Sequence, residues 1–353
     1  MQNEKKECSM KLLRKLLSER SLEKAEFAYL IENRTVIEEE LFRKSKAINL
    51  QSFQRKIFVR GLIEISSYCR NDCYYCGIRR SNRKAKRYRL SNEEILSRVK
   101  LGTEIGFMSF VLQGGEDAGF TEEALIEVIK GIKKINPKAA LTLSVGEKSF
   151  DTLKAYKEAG ADRFLLRHET RNREHYYKLH PKEMNQDFRL QTLKNLKALG
   201  YQTGSGIMVG SPGQTAEHIA EDLLFLRELN PEMIGIGPFV PAKGTPFENE
   251  ANGSAELTVF ILGILRIMFP HANLPATTSL ATLSKPARDK AIDVAANVYM
   301  PNLTPNYRRR EYNLYDDKAC FEMEAAENLD DLKKIMKNIG YRVVMDRGDY
   351  RNE

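Results

Sequence analysis

Cys69-Arg-Asn-Asp-Cys73-Tyr-Tyr-Cys76 follows directly on an apolar, β-patterned run from Phe58 to Ser66, and the rest of the chain reads as a frame for this octet. A C-x3-C-x2-C spacing supplies three thiolates from one loop. A cubane iron-sulfur cluster takes four ligands, as does a structural zinc, so one corner of the metal has no local partner. That corner can bind something else. The alternative is a zinc or ferredoxin-type site whose fourth ligand lies far along the chain. The two other cysteines, Cys8 and Cys320, have no Cys or His neighbour at ligand spacing, which weighs against it.

Outward from the octet, β-patterned runs alternate with amphipathic helical stretches, as in βα units around a parallel sheet. Eight strand candidates follow in order: Phe58 to Ser66, Ser109 to Leu112, Ala140 to Val145, Arg163 to Arg167, Gln202 to Val209, Met233 to Phe239, Leu274 to Thr278 and Val294 to Met300. Helices are expected between them. One opens with the capping-box pattern Ser91-x-x-Glu94 and another at Thr121. The predicted fold is therefore α/β, a (β/α)8 TIM-type barrel, which suits 353 residues as one large domain with additions at its ends. Residues 1–55 read as a leader of short helices packed on the barrel, 56–302 as the barrel and 303–353 as a C-terminal cap. The cap is expected to hold a helix at Leu329 to Ile339 and a strand at Tyr341 to Met345.

No window reaches the roughly 18 apolar residues of a membrane span, and the start has no apolar stretch bounded by a cleavage signal. A cytoplasmic protein with reduced thiols is expected, without membrane contact. The net charge is +8, and Arg70 to Arg89 carries eight basic residues against one acidic. No helix-turn-helix, RNA-recognition or zinc-finger pattern accompanies that charge, so no nucleic-acid partner is expected. The run reads as solvated or docking surface.

In a barrel of this kind the active site is built by the loops after the C-terminal ends of the strands. The cysteines follow the first strand, and Gln113-Gly114-Gly115-Glu-Asp117 follows the second, where two glycines allow close backbone approach. On the fourth strand, alternation puts Arg163, Leu165, Arg167 and Glu169 on one face. An inward Arg is costly unless paired, so an anion is expected there; the alternative is an internal Arg-Glu pair. His168 points the other way and reads as structural. The fifth strand, Gly204 to Gly210, leaves room for a ligand around Met208, and Thr277, Thr278 and Ser279 offer hydroxyls at the end of the seventh.

The cysteine triplet, with aromatic Tyr75 before its last member, resembles the radical S-adenosylmethionine (SAM) superfamily, where SAM chelates the open iron. From about Arg60 to Tyr315 the chain further resembles the HydE-type maturases of iron-only hydrogenases, in the branch that also holds biotin synthase and methylornithine synthase. The stretches that carry this are Arg60-Gly-Leu-Ile-Glu64, Cys69 to Gly77, Val111 to Asp117, Leu165 to Thr170, Met208 to Thr215, Gly235 to Pro241, Leu274 to Thr278 and Ala296 to Asn302. The resemblance implies that Cys69, Cys73 and Cys76 hold one 4Fe-4S cluster. It implies that Glu169 and Arg189 hold the SAM sugar and carboxylate, with Tyr75, Gln113, Gly114, Gly115 and Met208 beside it. It also implies that Arg163, Thr277, Thr278 and Tyr312 line the substrate cavity, where the cost of an inward Arg leaves Arg163 or Arg167 to grip a substrate carboxylate. Gly114 stands where the family often has Ser, and only Cys320 remains where some members carry a second cluster, so one cluster is expected.

The chemistry so implied is reduction of the cluster, electron transfer into the sulfonium, and loss of methionine to leave a 5′-deoxyadenosyl radical. The implied substrate is a cysteine-bound iron carbonyl-cyanide complex delivered by the partner maturase HydG, with an external electron donor. Two other readings stay open. One is an amino-acid mutase resembling methylornithine synthase; the other is a non-catalytic iron-sulfur carrier or scaffold, which would need no SAM pocket.

Overall fold

The computed structural model describes residues 2–316 and 329–351, so Cys320 lies outside the described residues. Three helices come first: α1 (Gln2–Glu19), α2 (Lys24–Glu32) and α3 (Glu38–Phe53). The expected first strand is two strands, β1 (Lys56–Val59) and β2 (Gly61–Ser66), which meet at Arg60. The cysteine loop leads to α4 (Asn92–Ile105), whose predicted capping box is present: Glu94 N–H donates to the Ser91 hydroxyl, and the Glu94 carboxylate takes Ser91 N–H at 2.7 Å. Then β3 (Ser109–Gly114), α5 (Glu122–Ile135, capped by Thr121), β4 (Ala140–Ser144), α6 (Phe150–Ala159) and β5 (Arg163–Leu165) alternate. Two helices, α7 (Arg173–Leu179) and α8 (Gln186–Ala198), precede β6 (Gln202–Ser205).

Beyond β6 the expected strands break up. The fifth candidate divides into β6 and β7 (Met208–Val209), and after α9 (Ala216–Leu229) the sixth divides into β8 (Met233–Ile234) and β9 (Gly237–Pro238). The cause is local: at Gly206 the backbones approach so closely that a Cβ would stand 2.0 Å from the Gly235 carbonyl oxygen. The seventh candidate is not a strand. After α10 (Ala255–Met268) it pairs only through single bridges at Asn273 and Pro275, where proline has no N–H to continue a ladder, and Thr278 already begins α11 (Thr278–Leu283). Following α12 (Lys285–Val294), the eighth is reduced to β10 (Val298–Tyr299). Short α13 (Asn306–Arg309), α14 (Leu329–Asn338) and β11 (Arg342–Val344) complete the described chain, the last two close to their predicted bounds.

The ring nonetheless closes. Strands β2-β3-β4-β5-β6-β8 run parallel side by side. Bridges from Met233 to Asn273, Pro275 to Val298 and Leu62 to Asn302 carry the pairing through the seventh and eighth positions back to the first. Below, β11 adds in parallel to β1, which places the last described residues under the N-terminal end of the barrel.

Two apolar layers hold the ring. One lies between β2–β5 and α4, α5, α6, α8 and α14; the other gathers α1–α3 against α9, α10 and α12. Helix α10 is buried along nearly its whole length because α3 covers its outer side, which explains its near-continuous apolar sequence. Among the described residues no helix is long and apolar enough to cross a membrane.

Candidate active site

The octet forms a pinned loop above β2. Arg70 N–H donates to Glu116 O at 2.8 Å, Tyr74 N–H to Leu179 O at 2.9 Å, and Gly77 N–H to Leu314 O at 2.8 Å, so three distant segments fix it. Asp72 adds a two-pronged ion pair with Arg79, at 2.8 and 2.6 Å. Cys69, Cys73 and Cys76 are half-buried free thiols. Burial pushes all three up, Cys76 to about 12, and the neighbouring thiols add to the rise at Cys73 and Cys76. Groups with that bias ionise when a cation compensates them, which is the condition a thiolate-bound metal cluster supplies. Among the described residues no three His, Cys, Asp or Glu side chains converge on a single-ion site.

The strand-two residues meet this loop directly. A Cβ on Gly115 would stand 2.2 Å from Tyr68 O and 2.7 Å from Cys69 Cβ, so only glycine lets the two loops touch. Gln113 and Gly114 end β3, and Gln113 Nε2 donates to the Tyr312 hydroxyl at 3.4 Å, bringing a side chain from beyond residue 303 over the strand ends. Tyr312 itself is fully buried.

Around the end of β5 the chain does something uncommon. Thr170 N–H donates to His168 O at 2.9 Å while Glu169, between them, has φ 66°. A three-residue turn with a positive central φ is rare and strained for a residue with a side chain, at about 1–3 kcal/mol. What it achieves is placement: Glu169 is buried, its Oε1 takes Arg167 Nε at 3.0 Å, and its Oε2 has no hydrogen-bond partner. A buried, unpartnered carboxylate oxygen is an acceptor waiting for donors, and a pair of ribose hydroxyls fits it.

Both flanks of the turn are clamped. On one side His168 Nδ1 meets Ser205 Oγ at 2.9 Å and His168 Nε2 stands 3.3 Å from Asp222 Oδ1; on the other, Arg171 N–H donates to the same Asp222 oxygen. His168 and Asp222 are wholly buried. Arg189, on α8, donates to Arg167 O at 2.9 Å and pairs with Glu147 at 2.7 Å. Burial is the largest influence and works against its charge, but Glu147, Tyr176, Tyr75 and Cys73 together overcome it and hold the guanidinium well above its ordinary range. Tyr75 lies in the same wall, its hydroxyl 3.3 Å from His180 Nε2, and it packs with Met208 and Phe239. His180 stacks on Tyr176 at 4.1 Å, and burial, then Arg189, pulls it down to about 3, which keeps the imidazole neutral.

Residues 63–226 match the Radical SAM superfamily. The chain is 43% identical over 289 residues to the FeFe hydrogenase maturase subunit HydE of Thermotoga maritima, covering 82% of each chain. The chain belongs to the HydE family. It is accordingly a radical SAM enzyme, and 4Fe-4S and SAM are the cofactors its family implies. Identity to the 3-methylornithine synthase of Methanosarcina acetivorans is lower, 28% over 305 residues, covering 85% of this chain and 83% of that one. A solved methylornithine synthase shares the fold, with a TM-score of 0.81 at 24% identity over 94% of this chain and 97% of that one.

One expected site residue of this HydE-family chain lies elsewhere. Arg163 is the first residue of β5, at the opposite end of the strand from Glu169, and is fully buried. Its guanidinium is already occupied by Asp349 (2.6 Å), Arg347 O (2.7 Å), Ser109 Oγ (3.0 Å) and Gln202 Oε1 (3.1 Å). The inward Arg finds its anion in the chain's own tail, so Arg163 is not a substrate contact. Arg167 lies in the segment after β5, two residues beyond Leu165. Thr277 stands at the N-terminal boundary of α11 without a side-chain capping bond, its hydroxyl 3.3 Å from that of Ser279; Thr278 starts the helix.

Sequence reasoning missed Glu147, Tyr176, His180 and Asp222. Glu147 follows Gly146 just beyond a strand, and the strand-end rule applied there would have found it. Asp222 had a fainter signal, an acid on the apolar face of a helix between Ala220 and Leu223.

Proposed function

We propose that this chain acts in assembly of the di-iron subcluster of FeFe hydrogenase, on a cysteine-bound iron carbonyl-cyanide precursor supplied by the partner maturase HydG. The observation that carries the reading is the 43% identity to a HydE maturase, well above the 28% to a methylornithine synthase. Cys69, Cys73 and Cys76 would hold one 4Fe-4S cluster and leave its fourth corner to SAM, and together these supply a 5′-deoxyadenosyl radical. The chain's own residues do the rest. Glu169 Oε2, buried and without a partner, accepts the ribose hydroxyls, while Arg189, paired with Glu147, takes the carboxylate. Gly114 and Gly115 let the ligand lie against backbone, with Tyr75 and Met208 closing the wall. Arg167, Thr277, Thr278 and Tyr312 line the substrate side, and their task is to hold the substrate and exclude water from a reactive radical.

Two assays test this. In a host lacking its own HydE but supplied with FeFe hydrogenase and its other maturation proteins, the chain is expected to restore hydrogen evolution. The anaerobically reconstituted, reduced protein, offered lysine with SAM, is expected to give no methylornithine. Methylornithine formation, or failure to restore hydrogenase with a SAM-cleaving protein, would overturn the maturase reading.

A further inference from the structure

The eight cations between Arg70 and Arg89 divide into two groups. Four have internal work: Arg79 pairs with Asp72, Arg87 donates to the carbonyls of Ile78 (2.7 Å) and Arg79 (2.6 Å), Arg89 pairs with Asp117, and Arg70 reaches Glu116 at 3.0 Å while 62% of its side chain stays exposed. The other four, Arg80, Arg83, Lys84 and Lys86, are exposed and have no ionic partner among the described residues. Some lysines elsewhere, such as Lys15, Lys46 and Lys197, stand on acids; what sets these four apart is that they lie together within seven residues.

This is not a loose basic loop. Buried Asn82 donates to Gly77 O at 2.8 Å and Lys243 O at 2.9 Å and accepts Lys84 N–H at 3.0 Å. Arg80 N–H donates at 2.9 Å to the carbonyl of Asn71, which lies between Cys69 and Cys73. Four like charges are thus held on a fixed frame one hydrogen bond from the metal loop. Their mutual repulsion works against the free protein and is relieved by an acidic partner.

We propose that Arg80, Arg83, Lys84 and Lys86, with Arg70 at the edge, form the docking surface for a small acidic protein that carries a one-electron centre. The inference rests on the proposed function, because reductive cleavage of SAM consumes one electron per turnover. The carrier is oxidised by one electron, and that electron, passed through the cluster, breaks one sulfonium S–C bond into methionine and a carbon radical. Cys8, the one described cysteine outside the octet, sits exposed on α1, and the three thiols of the octet are beside the patch. A partner seated there is therefore brought against the cluster. A nucleic acid would meet the same charge, but the proposed surface itself carries no exposed aromatic side chain for base stacking, and Tyr68 outside it already has the Arg89 guanidinium over its ring at 5.0 Å.

The test uses the reconstituted holoenzyme and the variant R80E/R83E/K84E/K86E, which alters none of the loop's backbone or Asn82 bonds. The probe is an acidic two-cluster bacterial ferredoxin. Calorimetric titration is expected to show binding to the wild type that weakens as salt rises, and affinity about tenfold or more lower in the variant. Ferredoxin-driven SAM cleavage is expected to fall in parallel, while dithionite-driven cleavage stays unchanged. Equal ferredoxin binding by both proteins overturns the proposal, as does transfer RNA displacing ferredoxin from the wild type. Loss of dithionite-driven cleavage in the wild type would instead remove the proposed function, and the binding arm would still decide the surface.

Discussion

Arg163 opens β5 and Arg167 lies two residues beyond its last residue, and their surroundings differ in kind. At the N-terminal end Arg163 is closed in by four acceptors, all from within the chain. At the C-terminal end Arg167 leans on Glu169, whose second oxygen is left without a partner on a strained turn. A satisfied buried charge holds a structure together, whereas an unsatisfied one next to strain marks where something else must bind. The comparison assigns stability to one end of the barrel and chemistry to the other, and it can be broken from either side.

The largest effect is expected at the metal loop. On the proposed reading each thiol is a single ligand, and no other described cysteine lies in the loop, so Cys73→Ala should lose a stable reducible cluster altogether. Anaerobic reconstitution with iron and sulfide, followed by electron paramagnetic resonance, checks this. A wild-type cluster signal in that variant would remove the octet from the site.

A smaller effect sharpens the functional end. Asp222 is wholly buried and clamps both sides of the Glu169 turn, through His168 and through Arg171 N–H. In Asp222→Asn the imidazole loses its charged partner and the strained turn can relax, which should move Glu169 out of register. SAM affinity is expected to fall about tenfold, roughly 1.4 kcal/mol, with the cluster signal intact. Unchanged SAM affinity in a folded Asp222→Asn protein would show that the turn is held without the clamp.

The same contrast explains how much of this could be read beforehand. The fold was legible because βα alternation and capping signals are local: Ser91 and Thr121 cap where expected, and the cysteines, Gly115 and Glu169 stand at strand ends. What was not legible depends on contacts far apart in sequence. Nothing in Arg163-Phe-Leu says that the partner of Arg163 is Asp349, 186 residues later, because pairing of β11 with β1 is what brings the tail there. The alternation rule, which put Arg163 and Arg167 on one face, carries no information about which end of a barrel a residue occupies, and β5 stops at Leu165, before Arg167. The two strands that split at Gly206 and Gly235 failed for a related reason: the break comes from one backbone pressing on another.

The smallest effect is expected at the closed end, and it has a distinct signature. Asp349 bonds Arg163 and Arg347, both at 2.6 Å, and takes Gln202 Nε2 at 2.9 Å. Burial would raise its carboxyl, but Arg347 and Arg163 overcome that and hold it well below the usual carboxylate range. Removing one partner of a fully buried pair costs about 3–5 kcal/mol. The Asp349 side chain is 33% exposed, so Asp349→Asn should cost less, ~2 kcal/mol. Because the folded-state value is depressed, this stabilisation is fully present above the unfolded carboxylate value of roughly 4 and is lost as the pH falls further toward the folded value. Urea melts should therefore show wild type and variant separated by a constant margin from neutral pH down to about 5, narrowing below about 4. SAM affinity and the cluster signal should stay at wild-type levels throughout. A variant that kept its stability but lost SAM binding would reverse the assignment of the two ends and return this arginine to the active site.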